Sequence, residues 1–320
     1  MSLRRELLRA AASLVALACV CHVAPRAQTH RESPAPTKEI AVTIDDLPLN
    51  GPQFEAARLR AMTDKLLDGI KRHRVPAVGF VNESLLYVSG EADARIAILR
   101  AWADAGVELG NHTFSHLSFR SATPAEYEDD FVRGDALTRM LMKERGQRPR
   151  YFRHPFLHMG ATAELEKSFR SFIAGRGYSA APVTVDTMDW MFLAAYSKAR
   201  ARGDSAELRR VSDEYLKYVG LRLDFTERVS SELFGRHVKH VLLLHANELN
   251  ADNFDALVRV FTDKGYRFIT LERALGDPVY QFPEKYTATS DWLTHWSFSR
   301  GREFNPPAPP DFIRKAFAGQ

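Results

Sequence analysis

With 320 residues, 45% of them hydrophobic and 26% charged, the chain has room for one large α/β domain or two small ones and the composition of an ordinary soluble globular protein. Its net charge of +4 and pI near 9.0 come mostly from the N-terminus: residues 1–27 hold four arginines and one glutamate, so their removal leaves +1 and no basic patch that argues for nucleic acid. Both cysteines, Cys19 and Cys21, fall in the same segment, which excludes a disulfide-stapled scaffold and a cysteine nucleophile from the mature chain.

Arg4, Arg5 and Arg9 precede an apolar run from Ala10 to Cys21 that only Ser13 interrupts, followed by small residues and Pro25. This layout predicts a secretory signal peptide over 1–27, too short to span a bilayer comfortably, and a disordered linker over 28–38. An exported chain without cysteines fits a bacterial envelope, periplasmic or secreted, with no stable membrane span. From Glu39 onward strand and helix signals alternate. Short apolar runs predict strands at 40–44, 76–81, 107–109, 151–153, 178–184, 240–244 and 267–270. Helical spacing fills the intervals at 54–72, 92–105, 124–144, 163–173 and 253–264. Such alternation argues for parallel βαβ units. The charged stretch 198–234 reads as a helical insertion beside the domain. The tail 277–320, with Trp292, His295, Trp296 and a proline cluster, reads as an aromatic strap of little regular structure packed on it.

The residues able to do chemistry sit where strands end: Asp45 and Asp46, His112, Arg153, Asp186 to Trp190, and His245. A barrel-like α/β enzyme draws its catalytic groups from the same places. His112 and His116, at i and i+4, would share one face of a helical turn, where their ring nitrogens converge on one ion. A carboxylate as third ligand leaves an open position for water or substrate. Neighbours on a strand point to opposite sides, so one of the two aspartates is expected to bind metal and the other to take a proton, the spacing alone not saying which. The histidine pair lacks the glutamate of His-Glu-x-x-His, which disfavours a zincin-type peptidase, and no Gly-x-Ser-x-Gly elbow is present. The pattern is that of a metal-dependent hydrolase.

Five segments, taken in order, carry a resemblance. They are Thr43-Ile44-Asp45-Asp46-Leu47-Pro48, His112-Thr113-Phe114-Ser115-His116, Arg153-His154-Pro155-Phe156, Asp186-Thr187-Met188-Asp189-Trp190 and Leu242-Leu243-Leu244-His245-Ala246-Asn247. Together they resemble the motifs of the polysaccharide deacetylases, the NodB-homology hydrolases, across about Glu39 to Leu275. The resemblance implies a distorted (β/α) barrel over 39–276 that removes acetyl groups from N-acetylated or O-acetylated glycans. It implies Asp46, His112 and His116 as ligands of one divalent ion, Zn²⁺ first, and Asp45 as general base with Arg153 paired to it. It implies the backbone N–H of Phe156 at the oxyanion and Trp190 as an apolar wall or sugar-stacking surface. His245 becomes the general acid, with Asp189 fixing its tautomer and raising its pKa. Leu47-Pro48 stands where the family has glycine, a departure at the floor of the site. His154 and His158 are extra, and packing or a hydrogen bond at the rim accounts for them most simply. The substrate expected is an acetylated glycan: peptidoglycan in a periplasm, chitin-like or xylan-derived oligosaccharides if the protein is released. Two other readings stand beside it. One is a C–N hydrolase of a small amide or imide, which export disfavours; the other is a glycan-binding module without turnover, which the full set of ligands, base and acid disfavours.

Overall fold

A computed structural model describes residues 38–283 and 285–319, so the signal peptide and nearly all of the linker expected before Glu39 lie outside the described residues. β1 (Lys38–Leu47) is buried from its second residue to its last, because it is covered on both faces. After it come α1 (Ala56–Arg72), β2 (Ala77–Val81), α2 (Ala92–Asp104), β3 (Glu108–Asn111), α3 (Pro124–Arg133), α4 (Ala136–Lys143), β4 (Tyr151–Phe152), α5 (Ala163–Ala174), β5 (Ser179–Ala180) and β6 (Val185–Asp186). The chain continues through α6 (Asp189–Ala201), α7 (Ser205–Phe234), β7 (His240–His245), α8 (Glu248–Asp263), β8 (Tyr266–Ile269), α9 (Leu271–Leu275), α10 (Trp292–Ser299) and α11 (Asp311–Ala318). Every strand pairing is parallel, in the order β5-β4-β3-β2-β1-β7-β6, with β8 against the first residues of β1. The sheet curls into a distorted (β/α) barrel wrapped by helices.

Strand periodicity divides the core and aims the site. On β1, Ile40, Val42 and Ile44 join the main apolar cluster under α1, α2, α6, α7 and α8, and on β7 Leu242 and Leu244 do the same. The alternate residues Ala41, Val78, Phe80 and Val241 join a second cluster on the inner face. Continuing that alternation by one step puts Asp45 and His245 on the inner face at the carboxyl ends of their strands, where they pair in register. A third, aromatic cluster of Phe119, Tyr127, Phe131, Phe152 and Phe169 ties α3 and α5 to β4.

Three expectations change in detail. The helix predicted over 124–144 is two helices, α3 and α4, separated at Gly134-Asp135. Gly134 is where the backbone of another loop comes close: a Cβ there would lie 2.4 Å from the backbone carbon of Thr113 and 2.6 Å from the Phe114 nitrogen. The charged stretch 198–234 holds the end of α6 and all of α7, which connects β6 to β7 and sends Val211, Tyr215, Val219 and Leu223 into the main core. The tail does strap the domain, but with two regular helices. Before them, Thr289 bridges to His158 and Asp291 to Val183, so this segment spans the open side of the sheet. Trp296 of α10 is fully buried against the inner cluster, which makes it a packing residue and not a sugar platform.

Candidate active site

The end of β1 is bent by a register shift between Ile44 and Leu47, and Asp46 adopts a left-handed φ of 61°. The bend turns both carboxylates toward the inner mouth of the barrel. The histidine pair is not on a helix, contrary to expectation. Residues 112–116 form an irregular loop in which Thr113 (φ 63°) and His116 (φ 60°) are left-handed. Such a conformation costs about 1–3 kcal/mol per residue and persists only where the surroundings dictate it. Here Asn111 Oδ1 accepts from the Thr113 N–H at 2.8 Å, and Asp130 of α3 fastens the rest. Its carboxylate accepts from the Ser115 N–H at 3.0 Å and the Ser115 hydroxyl at 2.9 Å, while its carbonyl accepts from the Phe114 N–H at 2.9 Å. The loop brings the two imidazoles to within 5.0 Å, centroid to centroid.

Asp46 Oδ1 lies 3.4 Å from His112 Nε2 and 3.3 Å from His116 Nε2, and it is buried without a hydrogen-bond partner. An orphaned, buried carboxylate oxygen facing two imidazole nitrogens fits a cation, and ligand atoms of these three residues all lie within 4.8 Å of one another. The donor set, one carboxylate and two imidazoles, suits Zn²⁺ and similar divalent ions. Each donor is held from behind. His112 Nδ1 meets the Arg153 carbonyl at 2.8 Å, which fixes the proton there and leaves Nε2 with its lone pair. Asn50 donates to Asp46 Oδ2 at 2.7 Å. Burial pushes His116 down to about 4, so its ring is neutral around pH 7. Burial alone would raise the Asp46 carboxyl, but His112 and His116 outweigh it and hold the group well below the usual carboxylate range.

Arg153 is fully buried behind Asp45. Its Nη1 lies 3.4 Å from Asp45 Oδ2, Nη2 donates to Thr43 Oγ1 at 3.0 Å and Nε to the Ala181 carbonyl at 2.9 Å. The other carboxylate oxygen, Asp45 Oδ1, is buried with no protein partner. On the neighbouring strand, in register with Asp45, His245 Nδ1 meets Asp189 Oδ1 at 2.7 Å. Asp189 Oδ2 in turn accepts from the His245 N–H at 2.8 Å, from Asn247 Nδ2 at 3.1 Å and from Asn250 Nδ2. Burial disfavours charge on His245, yet the ionised Asp189 more than offsets it and raises the imidazole to about 10.

All these groups converge on one cavity of about 730 Å³. Asp45, Asp46, His112, His116, Phe156, Trp190 and His245 line it; Arg153 and Asp189 are not among the lining residues and contact Asp45 and His245. Phe156 (φ 56°) and Leu157 (φ 56°) are left-handed too, and the Phe156 ring lies 4.2 Å from that of His116. His158 is at the rim, 3.0 Å from Ser118 Oγ, whereas His154 is buried in the aromatic cluster beside Tyr127 and Glu166. Leu47-Pro48 is a cis peptide, and Asn82 donates its N–H to the Leu47 carbonyl at 3.0 Å. The sequence reading missed Asn50, Asp130, Asn250 and Phe317, and gave Thr43 and Asn247 no role within their motifs. Asn50 and Asn250 flank the motifs and carried a signal of sorts; Phe317, 72 positions beyond His245 in the chain, carried none.

A family model described as polysaccharide deacetylase matches residues 32–169, a span that includes Asp45, Asp46, His112, His116 and Arg153. A peptidoglycan-N-acetylglucosamine deacetylase of Bacillus cereus is 26% identical over 157 residues, 49% of this chain and 48% of that protein. The chain therefore spans about half the length of this curated relative. Among solved structures, a CE4 family pseudoenzyme from Bacillus anthracis aligns with a TM-score of 0.51 at 16% identity, covering 75% of this chain and 66% of that one. A mutant of that pseudoenzyme with restored enzymatic activity aligns with a TM-score of 0.51 at 17% identity, covering 75% and 68%. These structural likenesses concern the fold.

Proposed function

We propose that this chain, which belongs to the polysaccharide deacetylase family, is a metal-dependent hydrolase removing acetyl groups from an N-acetylated or O-acetylated glycan outside the cytoplasm, peptidoglycan first. The observation that carries the reading is the convergence of unlike groups on one cavity. A buried carboxylate, Asp45, and a raised imidazole, His245, stand in register on neighbouring strands and line the same cavity as the Asp46–His112–His116 group. Asp46, His112 and His116 would hold the ion, which when bound supplies Lewis acidity to the carbonyl and lowers the pKa of water.

The residues then divide the work. Asp45, oriented by Arg153, takes the proton of the water that attacks the acyl carbon. The Phe156 N–H, from a residue that lines the cavity, is the donor the family resemblance assigns to the oxygen that gains charge. His245 is protonated around neutrality and, with Nδ1–H bound to Asp189, directs its other N–H at the departing nitrogen or oxygen. Acetate and the free amine or hydroxyl are the products, with no covalent enzyme intermediate. The B. cereus relative's name supports a peptidoglycan substrate and an extracytoplasmic site of action. No helix of the described residues is long and apolar enough to cross a membrane.

Acetate release from peptidoglycan fragments, chitooligosaccharides and acetylated xylan tests this reading, with added Zn²⁺ and with chelator. Release that chelator abolishes, and that Asp45→Ala abolishes while bound metal is retained, is the expected result. A metal-loaded wild-type protein that releases acetate from none of the three sinks it.

A further inference from the structure

The cavity extends well past what an acetyl group needs. Beyond His245 it runs along α6, where Trp190, Leu193, Ala194 and Ser197 present one face of the helix to it at i, i+3, i+4 and i+7. Seven residues of helix are about 10 Å long. Pro52 and Phe317 line the same lobe, and Phe317 lies edge-on to Trp190 with centroids 4.9 Å apart. α11 is fixed in this position. Ile313 is fully buried in the main core, the Arg210 guanidinium sits 3.9 Å over the Phe312 ring, and Lys198 Nζ donates to the Ala316 and Gly319 carbonyls at 2.7 and 3.2 Å. The six lobe side chains named carry no charge. Their polar atoms are the Trp190 Nε1 and Ser197 Oγ, and the latter is buried without a partner. An acetyl methyl reaching past His245 would leave the walls from Leu193 to Phe317 facing water, which an apolar chain of several carbons would displace.

We infer that this lobe is an acyl-chain subsite, so that the preferred substrate carries an N- or O-acyl group longer than acetyl. The inference rests on the hydrolase reading above and deepens it by naming the acyl group. The reaction stays balanced: water breaks the acyl C–N or C–O bond, the chain leaves as a carboxylate and the glycan keeps its amine or hydroxyl.

Two ester series, offered to the metal-loaded full chain, separate the acyl side from the leaving side. One holds the alcohol constant and lengthens the acyl group from acetyl through butyryl to hexanoyl; the other holds acetyl constant and lengthens the alcohol. The expected kcat/KM rises up to about fourfold per methylene along the acyl series and not along the alcohol series. Ser197→Phe, at the far end of the lobe, lowers the hexanoyl-to-acetyl ratio by roughly tenfold or more, while Ser197→Ala keeps it. An acyl series that is flat or falling, or a gain confined to the alcohol series, overturns the inference. Calorimetric titration of the Asp45→Asn protein with hexanoate and with acetate gives an answer that needs no turnover. Tighter hexanoate binding supports the lobe even if no ester is cleaved, in which case only the hydrolase reading falls. Equal affinities overturn the lobe whatever the esters do.

Discussion

At the scale of single residues, the site works by giving similar groups opposite environments. Asp45 and Asp46 are neighbours in the chain, yet one faces a buried guanidinium and the other two imidazoles. His116 and His245 face the same cavity, yet burial takes one down to about 4 while Asp189 takes the other up to about 10. This divergence is what the proposed division into a neutral ligand and a charged proton donor requires. It has a measurable consequence in the metal-free protein. A folded pKa raised above the unfolded value near 6.5 means that His245 contributes stability in full below about pH 6.5 and loses it as pH rises through about 10. An NMR titration of the imidazole is expected to show a midpoint near 10 in the wild type. Asp189→Asn removes the attracting charge, and the midpoint should fall by several units, taking with it the alkaline limb of kcat in the active enzyme. An unchanged midpoint in Asp189→Asn would mean that the pair does not set the acid.

At the scale of elements, the irregular pieces carry the chemistry and regular ones hold them. The 112–116 loop is kept open in a left-handed path by Asn111 from β3 and Asp130 from α3, and it lies against the gap between α3 and α4. Gly134 makes that contact possible, since a Cβ would enter the Thr113–Phe114 backbone, which has no flexible end to move aside. Gly134→Ala is therefore expected to push the loop outward, cost about 1–3 kcal/mol in stability and weaken metal binding by an order of magnitude or more. Gly175→Ala is the matched control: it lies in the right-handed helical region, and its Cβ would meet nothing nearer than 3.5 Å. Metal affinity by competition with a chromophoric chelator, read beside Tm, decides the matter. If both variants bind metal like the wild type, the loop does not depend on the α3–α4 break.

At the scale of the whole molecule, what the sequence revealed and what it hid follow from contact range. Strand and helix alternation was legible because burial on β1 and β7 leaves a local apolar pattern, and the five motifs were legible because strand ends deliver them one at a time. The conformation of the histidine loop was not, because its left-handed residues are enforced by Asp130, fifteen positions from Ser115. Nor was the lobe wall, because α11 reaches α6 through Lys198, more than a hundred residues earlier. The Asp46–His112–His116 group is likewise held by contacts from outside itself. The Arg153 carbonyl, Asn50 and Asp130 hold the donors in place from sheet, loop and helix, and the apolar clusters beneath owe nothing to metal. Chelation should accordingly leave a folded protein, unlike domains whose folding energy is the metal's. With the ion at about a thousand times its Kd, linkage contributes about 4 kcal/mol, roughly 10 °C of Tm for a chain of this size. Far-UV circular dichroism of the stripped protein should match the loaded form and its melt should stay cooperative, shifted down by that margin and restored on adding Zn²⁺. Loss of the cooperative melt on chelation would instead make the ion a structural element, and the scaffold argument would fail with it.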